Sequence, residues 1–137
     1  FHGKPPRRSF AASMHGIMKF GMRIFAPIFL KHYKYHPGYL LPLARQLRHA
    51  VSMPLILLGG ITDEAGMDMA LDEGFQFVAM GRALLREPNL PLLIQADPTT
   101  ESKCVHCNEC MPTIYSGTRC PIRTGEIPDP LEARASA

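Results

Sequence analysis

The sequence predicts an α/β fold, and three observations support this prediction. Two short apolar runs, at residues 55–58 and 77–80, lack the polar alternation of a half-exposed strand. Such runs are typical of strands that are buried on both faces of a parallel sheet. Each run ends at a glycine, and stretches of helical periodicity precede, separate and follow the two runs. Helices and strands thus alternate with short connections, which favours α/β architecture over the other fold classes.

The composition is that of a globular protein. Of the 137 residues, 46% are hydrophobic and 20% are charged. A net charge of +3 gives no reason to expect a nucleic-acid partner. No uncharged apolar run of about 18 residues occurs, so we expect no membrane-spanning helix. The chain opens at Phe1 in a loop-like stretch, and we expect it to be the C-terminal part of a longer parent protein.

Residues 1–38 are predicted to form a loop and a helical insertion. The stretch 1–9 is basic and rich in proline, as loops are. Between Phe10 and Leu30 apolar residues recur at roughly helical spacing, and Pro27 predicts a kink or a break. We expect a lid or packing segment, in which Met14, Met18 and Met22 fill irregular gaps. The alternative is a segment that lies on a membrane surface.

Residues 39–97 carry the predicted helix-strand-helix-strand-helix order. The first helix is expected over Tyr39–Val51, and its apolar face is formed by Leu40, Leu43, Ala44 and Leu47. Thr62 is the expected cap of the helix between the strands, and Gly74 is placed where a helix-terminating glycine belongs. The apolar stripe of that helix is predicted to consist of Met67, Ala70 and Leu71.

Glycines directly follow both predicted strands, as Gly59-Gly60 and as Gly81 before Arg82. Because parallel strands end at the same edge of a sheet, these residues are expected to lie on the edge that carries the chemistry of α/β barrels. Glycines let backbone N–H groups approach a ligand closely, and an arginine supplies a planar charge suited to a phosphate. The pattern therefore predicts a phosphate site, with plain tight turns as the alternative.

The stretch PLILLGGITDEAGMDMALDEGFQFVAMGRALLREPNLP resembles the last two strands and helices of the NADH:flavin oxidoreductase (old yellow enzyme) family. The YLLPLARQLRHAV helix before it also resembles that family. The resemblance implies the C-terminal part of a TIM (β/α)8 barrel, in which Gly59, Gly60, Gly81 and Arg82 hold the phosphate of FMN. It also implies a cytoplasmic parent enzyme that passes hydride from NAD(P)H through FMN to an electron-poor alkene or a similar small-molecule acceptor.

The catalytic residues of that family lie in earlier strands that have no counterpart in this sequence. We therefore expect the chain to be inactive by itself. His15, His32, His36 and His49 are predicted to be surface groups. The tyrosines at 33, 35 and 39 are predicted to lie on the surface or at the edge of the core, with a place at the substrate mouth as the alternative.

Residues 98–137 are predicted to form an irregular cysteine-rich tail that is disordered towards its end. It contains all four cysteines, Cys104, Cys107, Cys110 and Cys120, of which the first three are spaced C-x2-C-x2-C. Short C-x2-C turns let thiolates converge on one metal or cluster. The segment CVHCNECMPTIYSGTRCP resembles the iron–sulfur segment of the trimethylamine dehydrogenase and dienoyl-CoA reductase branch, although its last gap is shorter. That resemblance implies a [4Fe-4S] cluster.

Two other interpretations of the cysteines stay open, a four-cysteine zinc site and structural cysteines without metal. They lead to a rival function, in which a phosphate-binding half-barrel with a zinc knuckle acts as an interaction module without redox chemistry.

Overall fold

The computed structural model describes residues 2–135 and divides the chain into two compact units. The second unit, Tyr35–Cys104, contains the predicted α/β segment, and the first combines the residues before it with those after it. No helix in the described part of the chain is long and apolar enough to cross a membrane.

In the second unit, the predicted alternation of helices and strands is confirmed. Helix α3 spans Leu41–Ala50 and is followed by strand β1, Ile56–Leu58, and helix α4, Glu64–Asp72. Strand β2, Phe77–Ala79, leads into the short helices α5, Arg82–Arg86, and α6, Leu90–Ala96. The two strands pair in parallel, as predicted, with Leu57 opposite Val78.

The prediction that the strands are buried on both faces is wrong for the residues described. Leu57 is 1% exposed, whereas its neighbours Ile56 and Leu58 are 60% and 50% exposed. Phe77 of β2 is also exposed, at 58%. One face of the two-stranded sheet therefore packs into the core and the other carries uncovered apolar side chains. Periodicity cannot distinguish these cases, because both faces of the strand are apolar in sequence.

The core of this unit forms where α3 and α4 cover the sheet. Its buried members are Leu41, Leu57, Ile61, Ala70 and Phe75. A second cluster, formed by Ala83, Leu90 and Ile94, anchors the two short helices after β2. An ion pair between Arg45 and Glu73 links α3 to the end of α4.

Three local predictions need correction. Asp63, not Thr62, is the N-cap of α4, and its carboxylate accepts a hydrogen bond of 2.7 Å from the Gly66 N–H. Leu71 is 53% exposed, so it does not belong to the buried face of that helix. Leu43 and Leu47 of α3 are exposed as well, since the buried face of that helix is centred on Leu41. Gly74 does terminate α4, as predicted, with φ +82°.

The first unit contains helices α1, Arg7–Ala12, and α2, Ile17–Phe29, in the predicted helical insertion. Helix α1 thus begins inside the stretch predicted to be loop, and α2 continues through Pro27 without a break. Several apolar side chains of α2 are exposed, Met18 among them at 64%, so that methionine fills no gap within this unit.

The rest of the first unit is the tail, which is largely irregular as predicted. It contains a 3-10 helix over Pro112–Tyr115 and helix α7 over Pro130–Ala135. The disorder predicted for the last residues stays a prediction, because residues 136 and 137 lie outside the described part.

Candidate functional site

The predicted phosphate residues leave the sheet at one edge. Because β1 and β2 are parallel and in register from Ile56 opposite Phe77 to Leu58 opposite Ala79, Gly59-Gly60 and Gly81 follow at matching ends. This is the carboxyl edge of the sheet, as the sequence predicted.

Gly59 and Gly60 are required by the fold itself. Both have positive φ, +123° and +80°, a backbone conformation that residues other than glycine rarely adopt. A Cβ at Gly60 would lie 2.9 Å from the His36 carbonyl oxygen and 3.1 Å from the Tyr39 ring. Local packing therefore explains these two glycines without a ligand.

Gly81 is different, because nothing in the described residues requires a glycine there. Its φ of −93° is open to any residue, and a Cβ would meet no atom within 4 Å. The glycine thus leaves a space beside Arg82, the first residue of α5, whose side chain is half-buried. A missing side chain next to a half-buried cation is an arrangement that suits close approach of an anion.

Tyr35 also lies at this edge, where the sequence predicted a surface or core-edge residue with the substrate mouth as the alternative. Its hydroxyl donates a hydrogen bond of 3.0 Å to the Gly60 carbonyl oxygen. Burial raises the pKa of Tyr35, while a hydrogen bond with Thr62 and the positive charge of Arg82 oppose that shift. The hydroxyl therefore lies among the residues that follow both strands. The contact with Gly60 spans 25 residues of chain, so no local pattern in the sequence indicates it.

Cys104 reaches the same edge through a set of loop contacts. The Ser102 N–H donates to the Thr62 carbonyl at 2.9 Å, and the Ser102 hydroxyl donates to the Glu87 carboxylate at 3.0 Å. The Cys104 N–H in turn donates to the Ser102 hydroxyl. The charge on Cys104 also contributes to the raised pKa of Tyr35.

The other three cysteines belong to the first unit. None of the four thiols is part of a disulfide, and all four are half-buried. Burial raises the pKa of the Cys107 thiol, and a hydrogen bond from the Glu109 N–H opposes the shift. The charge of Cys120 also raises the pKa of Cys107. Within residues 2–135, no three His, Cys, Asp or Glu side chains are grouped so as to hold a metal ion.

Asn108 fixes the backbone of the cysteine turn. It is 3% exposed and has a positive φ of 61°. Its side-chain amide donates to the carbonyl oxygens of His2 and Lys4, at 3.1 and 3.0 Å. The turn between Cys107 and Cys110 is therefore held against residues at the start of the chain.

The chain is similar to two curated enzymes. It is 49% identical over 123 residues to a 4,4'-dithiodibutanoate disulfide reductase from Rhodococcus erythropolis, covering 90% of this chain and 30% of that protein. It is 30% identical over 84 residues to an NADH oxidase from Thermoanaerobacter brockii, covering 60% of this chain and 13% of that protein. The chain is thus related to oxidoreductases. It spans less than a third of the length of either relative.

Other comparisons add no further relation. No protein-family model matches the sequence, and no solved structure matches it. The relation to oxidoreductases agrees with the redox class that the sequence predicts and not with the rival module without redox chemistry.

The contacts of Tyr35 predict a dependence of stability on pH. The raised pKa means that the folded state holds the phenolic proton more tightly than the unfolded state. This contribution is complete below the unfolded value of about 10 and is lost as the pH rises through the folded pKa. We expect Tyr35→Phe to cost about 1 kcal/mol at neutral pH through the lost bond to Gly60, and to remove the alkaline component.

Urea unfolding at neutral and alkaline pH measures both effects. Tyr115→Phe, at a side chain that is 69% exposed, is the control and should change neither quantity. An alkaline loss of stability that persists unchanged in Tyr35→Phe would contradict the assignment.

Proposed function

We propose that this chain is the FMN-phosphate-binding part of an NAD(P)H-dependent flavin oxidoreductase with a TIM-barrel fold. The observation that carries the proposal is the open space at Gly81 beside the half-buried Arg82, at the carboxyl edge of two parallel strands. The relation to a disulfide reductase and an NADH oxidase supports the redox class.

Three residues at this edge have different roles in the proposed phosphate site. Arg82 supplies the positive charge, and Gly81 gives the phosphate access to the backbone. Tyr35 holds the Gly60 turn in place through its carbonyl. The N-terminus of α4 is not part of this proposal, because the Asp63 carboxylate already accepts a hydrogen bond there. When bound, FMN would accept hydride from NAD(P)H and deliver it to the acceptor.

The choice of the substrate that accepts the hydride rests on the similar enzymes and not on the residues at the sheet edge. The relative that is 49% identical is named for a disulfide that joins two butanoate chains. This similarity favours a disulfide acceptor over the electron-poor alkene that the family resemblance implies. Both reactions would consume one NAD(P)H per acceptor molecule, since each acceptor takes up two electrons and two protons.

The test uses the full-length parent protein purified without added cofactor. We expect a two-banded flavin absorbance spectrum, release of FMN on denaturation, and oxidation of NADH or NADPH that depends on 4,4'-dithiodibutanoate. A colourless protein that neither contains nor takes up FMN would refute the proposal. Activity with an activated alkene and none with the disulfide would keep the flavin assignment and reverse the choice of acceptor.

Gly60→Ala and Gly81→Ala form a matched pair of variants with opposite expected results. Gly60→Ala should lower the free energy of unfolding by about 1–2 kcal/mol, because it forces an alanine into a left-handed conformation against the His36 carbonyl. Gly81→Ala should cost less than about 1 kcal/mol of stability, yet weaken FMN binding at least about tenfold by filling the space for the phosphate.

Chemical denaturation and fluorescence titration with FMN measure the two quantities. Undiminished FMN affinity in Gly81→Ala would place the phosphate elsewhere.

We also propose that Cys104, Cys107, Cys110 and Cys120 act together as ligands, with a [4Fe-4S] cluster as the first candidate and zinc as the second. Their spacing supports this proposal, as does the hydrogen bond from the Glu109 N–H to Cys107, since N–H groups directed at sulfur stabilise ligating thiolates. The thiols are not grouped as a complete metal site in the described residues. No catalytic step is assigned to the centre.

A further inference from the structure

A cleft between α1 and α2 combines positive charge with apolar surface. It has a volume of about 990 Å³, at the upper end of the range of about 300–1,000 Å³ that is typical of small-molecule sites. Arg7 and Arg8 approach it from α1, and Lys19 approaches it from α2. Phe20, Ala11 and Ala26 contribute apolar surface. Both helices belong to the first unit, so this site does not depend on how the two units are arranged.

The positive charges around the cleft have no acidic residue near them in the sequence. No acidic side chain is among the described residues that line it. The first 62 residues contain no Asp or Glu, so acidic residues begin only at Asp63. Glu109 is the one carboxylate among the residues that line the neighbouring cleft, which Arg7 and Arg8 share. One carboxylate leaves the group of three cations with a net positive charge, and an anion is the ligand that such a group attracts.

We propose that this cleft binds an aliphatic carboxylate, with the carboxylate on Arg7, Arg8 and Lys19 and the alkyl chain against Phe20 and the two alanines. An arginine fork matches the geometry of a carboxylate, and the apolar lining gives the chain a place away from water. A small ligand fits better than a membrane surface, because the cations and the apolar groups face one concave space rather than one flat side of a helix. The site goes beyond the proposed redox function and does not require FMN.

Isothermal titration calorimetry on the full-length parent protein tests the site, with butanoate, hexanoate and octanoate as probes. Octanol is the uncharged control, because it has the same number of carbon atoms as octanoate. We expect octanoate to bind and affinity to rise by up to about fourfold for each buried methylene, the factor that 0.8 kcal/mol per methylene gives. Octanol should bind at least about tenfold more weakly than octanoate, because it cannot use the three cations.

The double variant Arg7→Gln/Arg8→Gln should bind octanoate at least about tenfold more weakly than the wild type. Arg123→Gln is the matched control, since Arg123 is an exposed cation of the same unit that does not line the cleft. The substituted residues are all exposed, so we expect every variant to fold, and circular dichroism checks this.

Three results would each overturn the proposal. They are equal binding of octanol and octanoate, an equal loss in Arg123→Gln, and absence of carboxylate binding together with Arg7- and Arg8-dependent binding to phosphatidylserine vesicles. The flavin proposal is separable from this one. A protein that lacks FMN but binds octanoate refutes only the flavin proposal, and a flavoprotein that ignores octanoate refutes only the cleft.

Discussion

Arg82→Ala is expected to weaken FMN binding to the parent protein by about 2–3 kcal/mol, or about 30- to 150-fold. The substitution removes the guanidinium group beside Gly81, and the phosphate of FMN would then lose its charge-assisted hydrogen bonds. Arg82→Lys should recover only part of the affinity, because an ammonium group cannot reproduce the planar fork. Fluorescence titration of the apoprotein with FMN measures both changes.

Arg86, one turn further along the same short helix, offers the control. Arg86→Ala should leave FMN affinity within about threefold of the wild-type value, since salt screens a charge that makes no direct contact with the phosphate. Equal losses in Arg82→Ala and Arg86→Ala would mean that the general charge of α5 matters rather than a phosphate contact. Wild-type affinity in Arg82→Ala would remove the residue from the site.

The second large effect concerns the cysteines. If the four thiols ligate one [4Fe-4S] cluster, anaerobically purified parent protein should contain about four irons per chain. Replacing any one of Cys104, Cys107, Cys110 or Cys120 with serine should then remove most of the iron. Zinc binding would instead give about one zinc per chain and no visible absorbance band.

Metal analysis and FMN content, measured on the same samples, separate the two sites. FMN should stay bound in each serine variant, because Gly81 and Arg82 follow the strands and contribute no thiol. Neither iron nor zinc in reduced, anaerobic protein would leave the cysteines with a structural role. Loss of FMN along with iron would show that the cysteines act on folding instead.

The order of elements in the second unit could be predicted because each element has a local signal. Helix α4 is an example, with a buried Ala70 in its predicted apolar stripe and a terminating glycine with φ +82°, although its cap is Asp63 and not Thr62. Burial was harder to predict. Leu57 is buried and Leu58 is exposed, although the two are chemically identical, because the direction of a side chain in a strand depends on what covers each face.

The candidate site was predictable where backbone conformation leaves a trace in the sequence. The sequence shows glycine at positions 59, 60 and 81, but it does not show why each position is a glycine. Only the structure shows that Gly60 is required by packing and that Gly81 is not. The sequence offered Tyr35 only as a possible substrate-mouth residue. Its bond to the Gly60 carbonyl could not be predicted, because it joins residues 25 positions apart. Contacts of that kind have no local signature in a single sequence.

The side-chain amide of Asn108 has a consequence for how the chain is made. Its two acceptors, on His2 and Lys4, precede it by 106 and 104 residues. A ribosome that adds about 5–20 residues per second needs about 5–20 s to span that separation. During this time the carbonyl oxygens of His2 and Lys4 lack the Asn108 amide, and closing so long a loop is slow in itself. The nascent chain therefore completes its first unit only after the cysteine turn has left the ribosome.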